Sequence, residues 1–164
     1  MLINLEGRVI EGSLAPSAET PMHTGIYRAR TSVGAIVHTH SPFSTTLACL
    51  GWEIPTMHYM LLALSDEGRV PLAPYATPNT EELAARASET LGDVHACLLQ
   101  NHGTITVGET LGEAYSRTER MEEMATIYRR TRLAGEPRLL TSDQTAEVAP
   151  KVASCGQSKD AEPK

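Results

Sequence analysis

The sequence predicts a mixed fold of the α/β (α+β) type, organised around a single core. Short β-branched or apolar runs such as VGAIVHTH alternate along the chain with longer segments whose apolar residues recur at helical spacing. The length of 164 residues and the hydrophobic content of 41% are sufficient for one ordinary globular core. No internal repeat interrupts the alternation, so a solenoid or a repeated array is not predicted.

The first 40 residues predict a hairpin, a helix and a strand. MLINLEGRVIEG alternates apolar and polar residues around Glu6-Gly7, which is typical of a small hairpin with Gly7 in its turn. A helix is expected to start at Pro16-Ser17 and to end near Arg30, because apolar residues between them fall at helical spacing. VGAIVHTH is short and β-branched and is therefore predicted to be a strand.

The central segments predict two capped helices separated by less regular structure. SPFSTTLACLG is expected to form a helix with Ser41 at its cap and Gly51 after its end. The prolines of EIPTMHYMLLAL and RVPLAPYA fit loops or edge strands better than central strands. TPNTEELAARASETLG predicts a helix capped by Thr80, with acidic residues in its first turn.

The last third predicts two strands and a long helix. ACLLQNHGTITVG contains two β-like runs around a turn at 101–103, and the amphipathic helix that follows is expected to end at Gly135. We expect residues 1–140 to form one domain. Residues 141–164 are expected to form a short helix followed by a disordered polar tail, because their composition is polar and charged.

Charge and composition argue against several classes of partner. The net charge is -6 and the 14 basic residues are scattered, so neither nucleic acid nor an anionic membrane is an expected partner. MLINLEGRV lacks the pattern of a signal peptide and no apolar run approaches ~20 residues, so a cytoplasmic protein is expected. Cys49, Cys97 and Cys155 are odd in number and far apart, and we expect them to be free thiols.

The H-x-H sequence at the end of the predicted strand is a candidate metal site. His38 and His40 would point to the same side of the strand, with Cα atoms about 6.6 Å apart, which suits two ligands of one ion. A third ligand must come from elsewhere in the chain. His102 is a candidate because it lies in a turn between two strands, and neutral imidazoles favour zinc over calcium or magnesium.

Each candidate residue also has a simpler explanation when it is considered alone. An H-x-H pair can be two polar residues at a sheet edge, and Glu19 in a first helical turn can serve the helix dipole. Tyr59 is equally compatible with a core or an interface position. The Asn-His-Gly sequence at 101–103 is compatible with a tight turn, because asparagine and glycine both tolerate positive φ.

Taken together and in order, these motifs resemble those of the class II aldolase/adducin family. The resemblance extends over about residues 2–148 and is greatest to its fuculose-phosphate aldolase branch. It depends on PSAE, AIVHTHSPFSTTLACLG, IPTMHYM, PLAPYAT and LLQNHGTITVG, followed by a long helix. It implies a central mixed, largely antiparallel sheet flanked by helices.

The resemblance also implies an activity and a set of site residues. A family aldolase cleaves a ketose 1-phosphate, such as L-fuculose 1-phosphate, to dihydroxyacetone phosphate and an aldehyde through a metal-stabilised enediolate. The implied assembly is a homotetramer, with a tyrosine that reaches a neighbouring subunit's site. The implied residues are zinc (Zn²⁺) ligands His38, His40 and His102, acid/base Glu19, assisting Tyr59, and phosphate-binding Ser17.

Two departures from the family pattern leave other activities open. Family members carry an N-terminal segment with a phosphate-binding Gly-Asn loop before the position matching Met1, so a truncated form is expected. Ala18 replaces a second serine that faces phosphate in the family. A ribulose-phosphate 4-epimerase, a methylthioribulose-phosphate dehydratase and a non-catalytic adducin-like module are the alternatives. IPTMHYM and PLAPYAT favour the aldolase, and the three histidines argue against the module.

Overall fold

A computed structural model of the chain describes residues 1–153, which fold as helices on both faces of a short sheet. The elements, in chain order, are β1 (Leu2–Ile3), β2 (Val9–Glu11), α1 (Thr20–Ala29), β3 (Ala35–Thr39), α2 (Pro42–Cys49), a 3₁₀ helix (Tyr59–Ala63), β4 (Leu72–Ala73), α3 (Glu81–Leu91), β5 (Ala96–Leu99), β6 (Gly103–Gly108), α4 (Leu111–Ala134) and α5 (Ser142–Ala153).

The main sheet has four strands in the order β3-β6-β5-β4. β6 pairs antiparallel with both β3 and β5, whereas β4 pairs parallel with β5. This arrangement confirms the mixed, largely antiparallel sheet expected from the resemblance. β1 and β2 form the predicted hairpin, with Gly7 at φ 78° in its turn.

The core is divided by the sheet into two layers. On β5, Cys97 and Leu99 pack in the cluster that contains buried residues of α1 and α3, while Ala96 and Leu98 pack with α2 and α4. All four residues are almost completely buried, as the period of two along a central strand requires. The helices therefore flank both faces and fix the positions of the strand ends.

The start of α1 differs from the prediction. The helix begins at Thr20, not at Pro16-Ser17, because a separate turn precedes it. The Ser17 carbonyl accepts hydrogen bonds from the Thr20 amide at 3.0 Å and from the Thr20 hydroxyl at 2.6 Å. Pro21 then occupies the first helical turn, where its missing N–H costs no helical hydrogen bond. The predicted strand is also shorter, since β3 ends one residue before His40.

The two proline-containing segments were predicted as loops or edge strands. RVPLAPYA supplies β4, which lies at the edge of the sheet and confirms the prediction. EIPTMHYMLLAL instead contains the 3₁₀ helix, which the sequence did not predict. Its start is capped by His58, whose Nδ1 accepts a hydrogen bond from the Met60 amide at 3.2 Å.

The remaining helices follow the sequence prediction closely. The Thr80 hydroxyl accepts a hydrogen bond from the Leu83 amide and caps α3, and α4 ends immediately before Gly135. The short helix expected after 140 is α5, whereas the tail predicted as disordered and Cys155 lie outside the described residues. Cys49 and Cys97 are free thiols. Among residues 1–153, no helix has the length and apolar character needed to cross a bilayer.

Candidate active site

His38 and His40 lie side by side where β3 ends. Their Nε2 atoms are 3.2 Å apart and their ring centroids are 4.9 Å apart. His38 Nδ1 lies 2.8 Å from the carbonyl oxygen of Thr104 on the neighbouring strand β6. Because a carbonyl can only accept, Nδ1 carries the proton and donates it, so Nε2 of the neutral ring keeps its lone pair for another partner.

His102 reaches the same place through the pairing of β3 with β6. Thr39 lies opposite Thr104, so the antiparallel register brings the turn before β6 beside the end of β3. The His102 ring centroid is 4.9 Å from that of His38 and 5.0 Å from that of His40. One nitrogen from each of the three rings can be chosen so that all lie within 4.8 Å of one another. We call these three residues the histidine cluster.

Gly103 makes this close approach possible. A Cβ at this position would lie 2.4 Å from the Thr39 carbonyl oxygen and 2.7 Å from His40 Cδ2, both shorter than any normal contact. Positive φ was suggested for both ends of the Asn-His-Gly turn, but only Asn101, at φ 55°, has it. Glycine is therefore required at 103 by the space between the strands and not by its backbone conformation.

Glu19 lies beside the histidine cluster. It occupies the N-cap position of α1, but its side chain makes no capping hydrogen bond. Its Oε1 is instead 3.7 Å from His102 Nε2, and the two side chains are only 19% and 7% exposed. Glu19 Oε2 and His102 Nδ1 are buried without a hydrogen-bond partner in the described part of the chain. The helix dipole alone does not explain a carboxylate in this position.

His38 and His102 are held in the neutral form that binds metals. The pKa of His38 is lowered to about 4, chiefly by burial and also by the nearby imidazoles, while the hydrogen bond to Thr104 opposes the shift. Burial also lowers the pKa of His102, against the opposing effect of the Glu19 carboxylate. Both imidazoles are therefore uncharged near pH 7, as metal ligation requires.

The donor set fits a borderline divalent ion such as zinc. Two nitrogens bound about 2.0–2.1 Å from one tetrahedral zinc ion would lie about 3.3 Å apart. The 3.2 Å between the Nε2 atoms of His38 and His40 is close to that separation. The unpartnered His102 Nδ1 and Glu19 Oε2 are polar atoms that a bound ion or its ligands would satisfy. Three protein nitrogens would leave coordination positions open for a substrate.

Two of the predicted site residues are not part of this cluster. The structure contains no contact between Tyr59 and the histidine cluster within residues 1–153; its ring stacks on His58, with centroids 4.9 Å apart, and it is 47% exposed. Ser17 is exposed, and its hydroxyl accepts a hydrogen bond from the Glu19 amide at 3.2 Å. Within the chain, Ser17 therefore shapes the turn that presents Glu19.

The sequence prediction missed two residues that support the site. Asn79 lies against Glu19, and its positive φ of 67° is compatible with asparagine just before a capped helix. Glu122 on α4 binds the start of α2, where the predicted cap Ser41 makes no side-chain capping bond. No local sequence signal identifies Glu122, because its partners lie 78 and 79 residues away.

Comparisons with known proteins indicate the family of this chain. Residues 1–129 match the family described as the Class II Aldolase and Adducin N-terminal domain. The chain is 41% identical to the 5-deoxy-D-ribulose 1-phosphate aldolase of Bacillus thuringiensis, over 96% of this chain and 73% of that protein. It is 34% identical to the L-fuculose phosphate aldolase of Escherichia coli, over 90% of this chain and 68% of that protein.

A further relative and a solved structure are also named as sugar-phosphate aldolases. The 5-methylthioribulose-1-phosphate/5-deoxyribulose-1-phosphate aldolase of Rhodospirillum rubrum is 41% identical over 88% of this chain, which spans 65% of that relative. A solved L-fuculose 1-phosphate aldolase superposes with a TM-score of 0.87 at 35% identity, covering 92% of this chain and 70% of that one. Class II aldolases are metal-dependent lyases, and the chain belongs to the class II aldolase and adducin family.

Proposed function

We propose that the protein catalyses the metal-dependent cleavage of a ketose 1-phosphate to dihydroxyacetone phosphate and an aldehyde. The observation that carries the proposal is the convergence of His38, His40 and His102, with the Glu19 carboxylate 3.7 Å from His102. The three histidines would hold one zinc ion. When bound, that ion supplies Lewis-acid polarisation of the substrate carbonyl.

Glu19 is the proposed acid/base. Cleavage of the C3–C4 bond requires the C4 hydroxyl to lose a proton as the aldehyde forms, and C3 to gain a proton. Glu19 Oε2 is buried without a partner among the described residues, so it can hold and release a proton without breaking a structural hydrogen bond. We assign the proton delivered to C3 to this oxygen.

Tyr59 is the proposed partner for the C4 oxygen, and it would act in the site of a neighbouring subunit. Its 47% exposure and its lack of contact with the cluster in its own chain, within residues 1–153, are compatible with that role. A homotetramer is proposed on the family resemblance. Ser17, which is exposed in the turn before α1, is the proposed contact for the substrate phosphate.

The trans role of Tyr59 can be tested by mixing two inactive variants. His102→Ala and Tyr59→Phe chains would each lack one part of every site, but a mixed oligomer would contain some sites with both parts intact. We expect partial activity after co-refolding and no activity in either variant alone. Mixed chains that stay inactive, although they co-assemble, would argue that Tyr59 acts within its own chain or not at all.

The relatives suggest which substrate to test first. Those at 41% identity are named for 5-deoxyribulose 1-phosphate, and those at 34% for L-fuculose phosphate. Both sugars end in a methyl group, so their aldehyde products share an apolar end. We propose 5-deoxyribulose 1-phosphate as the first substrate and L-fuculose 1-phosphate, the substrate indicated by the sequence motifs, as the second.

A coupled assay for dihydroxyacetone phosphate tests the reaction directly. Wild-type protein would be measured as purified, after chelation, and after reloading with zinc, on both ketose 1-phosphates. We expect activity that disappears with the metal and returns with it. His102→Ala should abolish activity, whereas His95→Ala, which removes a histidine outside the cluster, should retain it.

The same preparations distinguish the alternative activities. Epimerisation of ribulose 5-phosphate or dehydration of methylthioribulose 1-phosphate, without dihydroxyacetone phosphate, would replace the proposed reaction with one of the other family chemistries. A zinc-loaded protein that shows none of the three activities would favour the non-catalytic adducin-like module.

A further inference from the structure

We propose that Asn79 is a positioning residue that holds the Glu19 carboxylate in its working orientation. The inference rests on the proposed function of Glu19 as the acid/base. Nothing in the sequence motifs singled out Asn79, which lies 60 residues after Glu19 in the segment that leads into α3. The contact depends on side-chain geometry, which the family motifs of the sequence do not indicate.

The side-chain amide of Asn79 bridges two acceptors at the start of α1. It lies 3.1 Å from Glu19 Oε1 and 3.1 Å from the carbonyl oxygen of Ala18. A carboxylate and a carbonyl can only accept, so the amide atom that faces them must be the NH₂ group, which has two donors. Asn79 therefore donates one hydrogen bond to each and ties the carboxylate to the backbone beside it.

The segment that carries Asn79 is itself held in place. The Thr80 hydroxyl donates to the Thr77 carbonyl at 2.7 Å and accepts from the Leu83 amide, while the Tyr75 amide donates to Gln100 Oε1 at 3.0 Å. Asn79 adopts φ 67°, a left-handed conformation that asparagine tolerates better than most residues. The amide is thus presented from a fixed backbone and not from a free loop.

This contact divides the two oxygens of Glu19 between two tasks. Oε1 lies between the Asn79 amide and His102 Nε2, whereas Oε2 has no partner in the described part of the chain. Holding Oε1 fixes the plane of the carboxylate and leaves Oε2 as the oxygen that exchanges a proton. Without Asn79 the carboxylate could rotate about its last bond, and fewer of its orientations would be productive.

Two substitutions at position 79 remove the side-chain amide while keeping a residue that tolerates the backbone conformation of Asn79. Asn79→Gly removes the amide and keeps a residue that adopts positive φ easily. Asn79→Asp also tolerates positive φ but places a second carboxylate against Glu19. We expect kcat to fall about 10-fold in the first and further in the second, with KM and bound metal unchanged, because a hydrogen bond to a charged group is lost.

Thr110→Ala is the matched control for a purely structural role. It removes the equivalent cap of α4, at the opposite end of β6 from the histidine cluster, and should lower Tm by about 2–4 °C through a loss of about 1 kcal/mol without changing kcat. Asn79→Gly should show the opposite pattern, with kcat lowered and Tm little changed. If Asn79→Gly resembles Thr110→Ala, or if both Asn79 variants keep wild-type kcat, the proposal is wrong.

Crystal structures of the zinc-loaded wild type and Asn79→Gly make the test independent of activity. We expect the Asn79 amide to contact Glu19 in the wild type and the carboxylate to be displaced in the variant. An unmoved carboxylate would overturn the positioning role. An inactive wild type whose carboxylate still depends on Asn79 would instead refute the proposed function and leave the positioning role standing.

Discussion

Two carboxylates at the starts of two helices have opposite hydrogen-bonding environments. Glu122, from α4, binds the start of α2, accepting from the Phe43 amide at 2.8 Å, the Ser44 amide at 2.9 Å and the Ser44 hydroxyl at 2.8 Å. Glu19, at the start of α1, makes no capping bond and leaves Oε2 buried without a partner among the described residues.

The difference indicates which carboxylate stabilises the fold and which is available for chemistry. A carboxylate whose two oxygens both accept hydrogen bonds at a helix N-terminus is stabilised in place. A buried carboxylate oxygen without a partner is unfavourable for folding, and such groups concentrate where a ligand or a proton is to be handled. Substitution of Glu19 should therefore reduce turnover, whereas substitution of Glu122 should reduce the stability of the fold.

Glu19→Gln should have the largest effect on turnover. Glutamine keeps the size and the acceptor oxygen but cannot carry the proton, so we expect kcat to fall about 10²- to 10⁴-fold. Bound zinc should stay the same, because the imidazoles are untouched. The free energy of unfolding should stay the same or rise, since a half-satisfied buried charge is removed.

Glu81→Gln is the control for this variant. Glu81 is also an acid at the start of a helix, but its side chain is 80% exposed and its ion pair to Arg28 is long, at 3.8 Å. It should retain wild-type kcat. If Glu19→Gln stays active, or if it loses zinc together with activity, the assignment of the proton to Glu19 is incorrect.

Glu122→Ala should have the largest effect on stability. Three hydrogen bonds to one charged group are lost at the start of α2, and we expect the free energy of unfolding to fall by about 3–5 kcal/mol. Glu123→Ala changes the adjacent residue, which makes an exposed ion pair with Arg120, and should cost less than about 1 kcal/mol. Similar losses in the two variants, measured by chemical unfolding, would contradict the capping role.

Gly103→Ala perturbs the imidazoles without touching either carboxylate. The new methyl group would meet the Thr39 carbonyl and the His40 ring, so we expect a loss of about 1–3 kcal/mol and weaker zinc binding. Gly112→Ala is the control: the nearest atom is 3.9 Å away, and alanine in α4 should be neutral or stabilising by up to about 1 kcal/mol. Unchanged zinc affinity in Gly103→Ala would show that the close strand contact is unnecessary.

The metal-free protein should become less stable in mild acid. Unfolded His38 takes up a proton near pH 6.5, whereas folded His38 does so only near its pKa of about 4, so the unfolded state binds more protons between these values. Lowering the pH from 7 to 5 should therefore reduce the free energy of unfolding by about 1–2 kcal/mol, after allowance for solvent screening. His38→Gln should lose less stability over the same interval; an equal loss would contradict the neutral state of the half-buried His38.

Local signals in the sequence were sufficient to predict most of the helices and strands. Helix caps such as Thr80, the glycine after α4 and the short β-like runs of β3 and β6 depend on neighbouring residues, so the sequence pattern predicted them. The start of α1 was misplaced because Ser17 forms its own turn before the helix. The 3₁₀ helix was missed because Pro55 suggested a loop or an edge strand and the apolar residues that follow have no single period.

The histidine cluster was predictable in composition but not in geometry. The H-x-H spacing indicated that His38 and His40 could share an ion. The position of His102 in a turn between two strands made it a candidate third ligand, and the family motifs implied the same residue. That Gly103 is needed for space, that Asn79 contacts Glu19 and that Glu122 caps α2 all depend on contacts across the fold. Such contacts join residues distant in sequence, and no local pattern encodes them.

Anomalous diffraction from crystals of the zinc-loaded protein tests the central claim most directly. If the three imidazoles hold the ion, one strong peak should lie about 2.0–2.1 Å from a nitrogen of each of His38, His40 and His102. An absent peak, or zinc bound only by other residues, would contradict the account.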